Sequence, residues 1–191
     1  VGGPMTWRKS PIIMEMAYSF AQAATGLIDK GFLGFAQIDM FGNANTHQIG
    51  TDYLNPKVRL TGSGGNNDVS SLVDKLIYVG LQDPNKFLKK VDFITSPGWL
   101  EGGESRKKAG LLNDGPVAVI TSAGVYDFEP STKRMRIKTL HPGVSPELAQ
   151  LASGFELVRP EGEIPVTERP SKEILEILRN EVDPNGLFIS M

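Results

Sequence analysis

The densest run of chemically suggestive residues is Gly62-Ser63-Gly64-Gly65-Asn66-Asn67-Asp68. Three glycines in its first four positions let the backbone approach a ligand closely and let successive N–H groups converge, which makes a nest for an anion or an oxyanion. Set between a strand and a helix, such a loop can hold a thioester oxygen or a phosphate. The same residues also suit a tight strand-to-helix turn with no ligand, and from this segment alone the two readings stand level. The familiar nucleotide fingerprints do not fit. Asn67 occupies the third glycine position of G-x-G-x-x-G, and no Gly-Lys-Ser/Thr occurs.

Other chemistry-bearing residues are sparse. The chain has no cysteine, which removes disulfides, thiolate nucleophiles and Cys-based metal sites together. His47 and His141 lack a second His or a carboxylate at ligand spacing, so both read as structural or surface residues and no metal site is expected. Glu101-Gly102-Gly103-Glu104 places two acids together as a glycosidase dyad does, but its glycines read as a flexible loop. Glu15 reads as a helix-surface or structural acid. Arg106-Lys107-Lys108 is a local basic run that could meet phosphates and reads better as a solvated face.

The elements that must position the glycine loop follow from periodicity and turn signals. Apolar residues at helical spacing from Pro11 to Ile28 predict a helix, and the apolar run from Phe32 to Ile38 predicts a buried strand with helices over both faces. Lys57 to Leu60 reads as a strand entering the loop, with one or two helical turns after it over Val69 to Val73. Leu76–Val79, Val91–Thr95 and Val117–Thr121 add short strands, and Gly124–Phe128 with Arg134–Leu140 reads as an antiparallel hairpin. Ser145-Pro146 and Ser171 mark the starts of two C-terminal helices, with an extended connection from Arg159 to Pro170 between them. The fold class is therefore α/β, a mostly parallel Rossmann-like open sheet with flanking helices. A single domain over residues 1–191 is expected.

Composition narrows the function classes. Of 191 residues 40% are apolar and 22% charged, the balance of a water-soluble globular chain. Twenty basic and 22 acidic residues are intermixed for a net charge of -2, so no cationic field is available for nucleic acid. No apolar stretch approaches the roughly 20 residues of a spanning helix, so no membrane partner is expected, and the lack of cysteine fits a cytoplasmic location.

A family resemblance rests on blocks in register. Phe35-Ala36-Gln37-Ile38-Asp39 with Gly42-Asn43, then Asn55-Pro56-Lys57-Val58-Arg59-Leu60-Thr61-Gly62-Ser63-Gly64-Gly65-Asn66, resemble the corresponding blocks of glutaconate CoA-transferase β subunits, class I CoA-transferases. Val91 to Leu100, containing Thr95-Ser96-Pro97-Gly98-Trp99, and Thr132-Lys133-Arg134-Met135 are similar to later blocks of the same family, in the same order.

That resemblance implies the CoA-transferase (NagB/RpiA-like) fold and CoA transfer between short carboxylic or dicarboxylic acids. The family works through a glutamate nucleophile, an acyl-anhydride and a glutamyl-CoA thioester. Gly64 and Gly65 match its oxyanion loop, with Gln37, Asn43, Gly62, Ser63 and Asn66 as substrate-binding neighbours. Acyl-CoA is a substrate, with no permanently bound cofactor, and the partner is an α subunit in an α2β2 heterotetramer. The family's Glu-Ser-Gly motif precedes the first block, and no such tripeptide occurs here, so a chain lacking its N-terminal portion is expected. The missing glutamate leaves two other readings open: an acyl-CoA hydrolase or decarboxylase on the same fold, and a non-catalytic partner subunit.

Overall fold

The computed structural model describes residues 10–111 and 113–186. The expectation of a missing N-terminal portion lies outside them. The chain runs through α1 (Met16–Ala24), β1 (Lys30–Leu33), the short strands β2 (Gln37–Asp39), β3 (Ala44–Asn45), β4 (Gln48–Ile49) and β5 (Val58–Arg59), helix α2 (Asn66–Leu72), β6 (Lys75–Gly80), β7 (Phe87–Leu88) and α3 (Ser105–Lys108). It continues through β8 (Pro116–Thr121), β9 (Gly124–Phe128), β10 (Met135–Leu140), α4 (Pro146–Leu151) and α5 (Lys172–Ile177), which passes into a π turn, Leu178–Val182. The fold is α/β.

The main sheet has the order β1-β6-β8-β9-β10. It is parallel from β1 to β8 and antiparallel from β8 to β10. Strand alternation turns Leu33, Tyr78, Val119, Tyr126 and Ile137, which are partners across the ladder, onto one buried face. Helix α2 packs there, close enough to β1 that a Cβ on Gly31 would strike Val69 and Val73. On the opposite face Phe32 is 63% exposed and Val79 47%.

Two smaller sheets sit beside it and carry the blocks singled out in the sequence. β2 pairs with β3 antiparallel and with β7 parallel, and β4 pairs with β5 antiparallel. The segment 32–38 is thus two strands in different sheets: the chain leaves β1 at Leu33, passes Gly34, and β2 turns to new partners. Strand β5 lies in an outlying ribbon, and Val58 and Arg59 are exposed. Residues 91–95 form a loop, held by side chains in place of a ladder: the Asp92 N–H donates to Gln37 Oε1 at 3.1 Å, and Thr95 Oγ1 accepts the Thr46 N–H at 2.9 Å.

Helix α1 is shorter than the predicted 11–28. Residues 11–14 have no helical structure, and Gly26 follows its end at φ +78°. The hairpin β9–β10 stands where expected, and so do the last two helices. Ser145 and Ser171 accept the N–H of Leu148 and Ile174, both at 3.2 Å. Among the described residues no helix is long and apolar enough to cross a membrane.

Candidate functional site

The glycine loop begins where the β4–β5 ribbon returns alongside Thr46 and His47. Leu60 N–H donates to the His47 carbonyl at 3.0 Å and Gly62 N–H to the Thr46 carbonyl at 3.1 Å. Gly62 (φ +88°) and Gly64 (φ +50°) lie in the left-handed region, where residues with a Cβ are strained. Gly65 is there for space: a Cβ would come within 2.5 Å of the Phe20 ring on α1. α2 then starts at Asn66.

Carbonyls and amides of the loop are used unequally. Ser63 C=O accepts the Asn66 N–H at 2.8 Å and Gly65 C=O accepts the Val69 N–H at 2.9 Å. The N–H groups of Ser63, Gly64 and Gly65 find no acceptor among the described residues. Gly64 is exposed, with nothing within 4 Å of a Cβ built on it. The loop therefore presents three successive free amides beside open space, a layout suited to an oxyanion. Asn66 lies at its edge, its Nδ2 3.4 Å from Thr46 Oγ1 and its carbonyl 3.4 Å from Ser96 Oγ.

Gln37 and Asn43 lie deeper. Gln37 is 3% exposed; its Nε2 donates to Asp92 Oδ2 at 2.9 Å, and its Oε1 accepts from Asn45 Nδ2 at 2.7 Å. Asn43 Oδ1 accepts the N–H groups of Gly98 (2.9 Å) and Leu100 (3.1 Å), while its Nδ2 donates to the Leu100 carbonyl and to Asp39 Oδ2. Both carboxamides are engaged by the protein itself, Asn43 at every donor and acceptor position, and what they do in this chain is tie loops together. Asn43 grips both polar groups of Leu100, which sits at φ +54°, a conformation a leucine adopts only when its surroundings impose it. Gly98 lies so close that a Cβ would be 2.2 Å from the carbonyl carbon of Gly42.

The remaining candidates separate cleanly. Arg106 is 2% exposed, which corrects the solvated-face reading for that residue. Its five N–H groups go to the carbonyls of Pro97, Gly98, Ser70 and Asn113 and to Asn113 Oδ1, and burial pulls its pKa down. Lys107 and Lys108 are exposed, as expected. Glu101 and Glu104 are exposed, but the loop between them is packed: a Cβ on Gly102 would lie 2.4 Å from the Thr132 carbonyl. Glu15 is exposed and immediately precedes α1. His141 Nε2 is 3.0 Å from the Thr121 carbonyl, a structural contact.

His47 is nearer the glycine loop than the sequence disclosed. Its ring stacks on Phe93 at 4.4 Å, its Cε1 lies 4.0 Å from a Cβ built on Gly62, and its Nδ1 is buried without a partner. Tyr53 stands 6.1 Å away with Arg59 over its ring. Thr46 and His47 carry no motif signal, and only the return of the ribbon brings them to the loop.

Residues 11–148 match the family model described as Coenzyme A transferase. The chain belongs to the coenzyme A transferase family. The β-type chain of glutaconate CoA-transferase from Acidaminococcus fermentans is 39% identical to this family member over 162 residues, 84% of this chain and 59% of the relative. The crystal structure of that organism's glutaconate CoA-transferase superposes with a TM-score of 0.79 at 37% identity, over 85% of this chain and 61% of that one. The β-type chain of 3-oxoadipate CoA-transferase from Pseudomonas knackmussii is 41% identical over 154 residues, 81% of this chain and 58% of the relative. Further off, the cholesterol ring-cleaving hydrolase IpdB subunit of Rhodococcus jostii is 26% identical over 157 residues, 81% of this chain and 60% of the relative. The IpdAB structure from that organism matches with a TM-score of 0.79 at 25% identity, over 94% of this chain and 71% of that one. The chain spans about three fifths of the length of the curated relatives it matches.

Proposed function

We propose that this family member works in CoA transfer between short carboxylic or dicarboxylic acids, as the β-type part of an enzyme assembled with an α subunit in an α2β2 heterotetramer in the cytoplasm. The observation that carries the reading is its identity of 39% and 41% to the β-type chains of two CoA-transferases. The free amides at the glycine loop supply the chemistry that fits it.

In this reading a carboxylate attacks the thioester carbonyl, CoA leaves as thiolate, and an acyl-anhydride forms. The thiolate then attacks the anhydride's enzyme-derived carbonyl, which releases the acid and leaves a glutamyl-CoA thioester. Each step puts negative charge on a carbonyl oxygen. The amides of Gly64 and Gly65 stabilise that charge, and loss of one such donor typically costs about 3 kcal/mol in the transition state. Ser63 and Gly62 shape the substrate side of the loop, with Asn66 at its edge, while Gln37 and Asn43 act by holding the surrounding loops. A cavity of about 810 Å³ elsewhere on the chain is lined by Lys89, Arg134, Gln150 and residues 153–159, none of them in the glycine loop. The loop itself lies open, which supports a pocket completed by another segment or subunit.

A second reading, acyl-CoA hydrolysis, draws on the 26% identity to the ring-cleaving hydrolase chain. One experiment separates the two. The full reading frame, co-expressed with its partner subunit, is incubated with acyl-CoA and then borohydride. A transferase is inactivated because the glutamyl thioester is reduced; a hydrolase retains activity and releases CoA without any acceptor acid. Retained activity would overturn the transfer reading.

A further inference from the structure

The direction of the loop's first free amide is set from outside the loop. Thr46 follows β3 and makes four hydrogen bonds with its two peptide groups and one hydroxyl. Its N–H donates to Thr95 Oγ1 at 2.9 Å, and its carbonyl accepts the Gly62 N–H at 3.1 Å. Its hydroxyl donates to the Gly62 carbonyl at 2.8 Å and lies 3.4 Å from Asn66 Nδ2. Both polar groups of Gly62 are therefore held by one residue, at a φ of +88° that gives the glycine no steric preference of its own.

A peptide unit is planar, so the Gly62 carbonyl and the Ser63 N–H point in opposite directions from one rigid plate. The hydroxyl of Thr46 draws the carbonyl inward and thereby turns the Ser63 N–H outward, where it finds no acceptor. The next plate is fixed in the same way: the Ser63 carbonyl is held by the Asn66 N–H at 2.8 Å, and Asn66 in turn reaches back to the Thr46 hydroxyl. We infer that Thr46 is the positioning residue of the glycine loop, and that the Ser63 amide it orients is a donor to the same oxyanion as Gly64 and Gly65. This deepens the transfer reading and rests on it, because it assigns no new ligand.

The test uses the full-length protein assembled with its partner subunit, with acetyl-CoA as donor and glutaconate and 3-oxoadipate as acceptors. Thr46→Val removes the hydroxyl and keeps the shape, and Thr46→Ala repeats the deletion without placing a methyl against the Gly62 carbonyl. Thr46→Ser restores the hydroxyl. The expected result is a fall in kcat per folded enzyme of about tenfold in both deletions, KM for acetyl-CoA within about twofold, and recovery in the serine variant, as for a donor loosened but not removed. A lower Tm with kcat per folded enzyme unchanged would leave Thr46 a structural residue and overturn the inference. Gly64→Asn is run alongside, since asparagine tolerates the left-handed region and its side chain enters the open space over the loop. If that variant keeps full activity, the oxyanion reading of the loop is what fails, whatever Thr46→Val does.

Discussion

Asp39 sits behind the turn that carries Asn43, its Oδ1 accepting the N–H groups of Phe41 at 2.9 Å and Asn43 at 3.0 Å. Burial pushes its carboxyl up from 3.8 to about 6, against the opposing pull of those hydrogen bonds. A raised value in the folded state means that the folded chain holds a proton the unfolded chain has released. The stabilisation is therefore complete below about pH 4 and is lost as pH rises through about 6. In urea titrations across that window, the difference in stability between the wild type and Asp39→Asn should change with pH; a constant offset counts against burial as the cause. Glu129 has the opposite sign, held at about 2 chiefly by the Thr132 N–H, so its contribution disappears only as pH falls from 4.5 toward that value. The loop glycines differ just as clearly in mechanism. Gly64→Ala is expected to cost about 1 kcal/mol through its backbone conformation alone. Gly65→Ala is expected to cost about 1–3 kcal/mol through the Phe20 ring, and Phe20→Ala in the same chain should recover part of that loss. Additive losses in that double-mutant cycle would mean that the ring does not govern Gly65.

Arg106 shows what joins the elements around the loop. From α3 it reaches the Ser70 carbonyl on α2 and the carbonyls of Pro97 and Gly98, so one guanidinium locks the helix after the glycine loop to the loop that Asn43 also grips. Lysine cannot reproduce five donors in a planar fork. Arg106→Lys should cost about 2–4 kcal/mol, read from the urea midpoint, with faster amide exchange in α2; exchange that accelerates everywhere except α2 would contradict the lock. These contacts also explain what was visible beforehand and what was not. The hairpin β9–β10 and the Ser145 and Ser171 caps were readable because alternation and capping are local properties of the chain. The two-sheet break between Leu33 and Gln37 and the loop at 91–95 were not, because apolar runs look alike whether a ladder or side chains such as Gln37 and Thr95 satisfy the backbone groups there. The glycine loop could be found from its composition, and its relation to the family from its flanking blocks. Thr46 could not, since its importance lies in contacts 16 residues and more away, at Gly62 and Thr95.

On the scale of the whole molecule, the two edges of the main sheet are treated differently. Strand β10 is flanked by Val158 and Val166, which bridge to Arg136 and Leu140. Strand β1 has β6 on one side and no partner on the other among the described residues. Next to that edge, Phe32 is 63% exposed and Val79 47%, and paired positions carry Ile77 and Ile120 onto the same face. Parallel strands are ordinarily covered on both faces, and an unpaired edge beside an apolar surface is a template for association. Residues 1–191 expressed alone should therefore be oligomeric or poorly soluble. Size-exclusion chromatography with light scattering should show mass above 20.8 kDa that grows with concentration. Phe32→Lys combined with Val79→Lys should lower that mass without lowering the helix content, because both side chains point away from the buried face. A monodisperse monomer with a high Tm from the unaltered chain would mean that this sheet needs no cover, and would remove the physical reason to expect another segment or subunit against it.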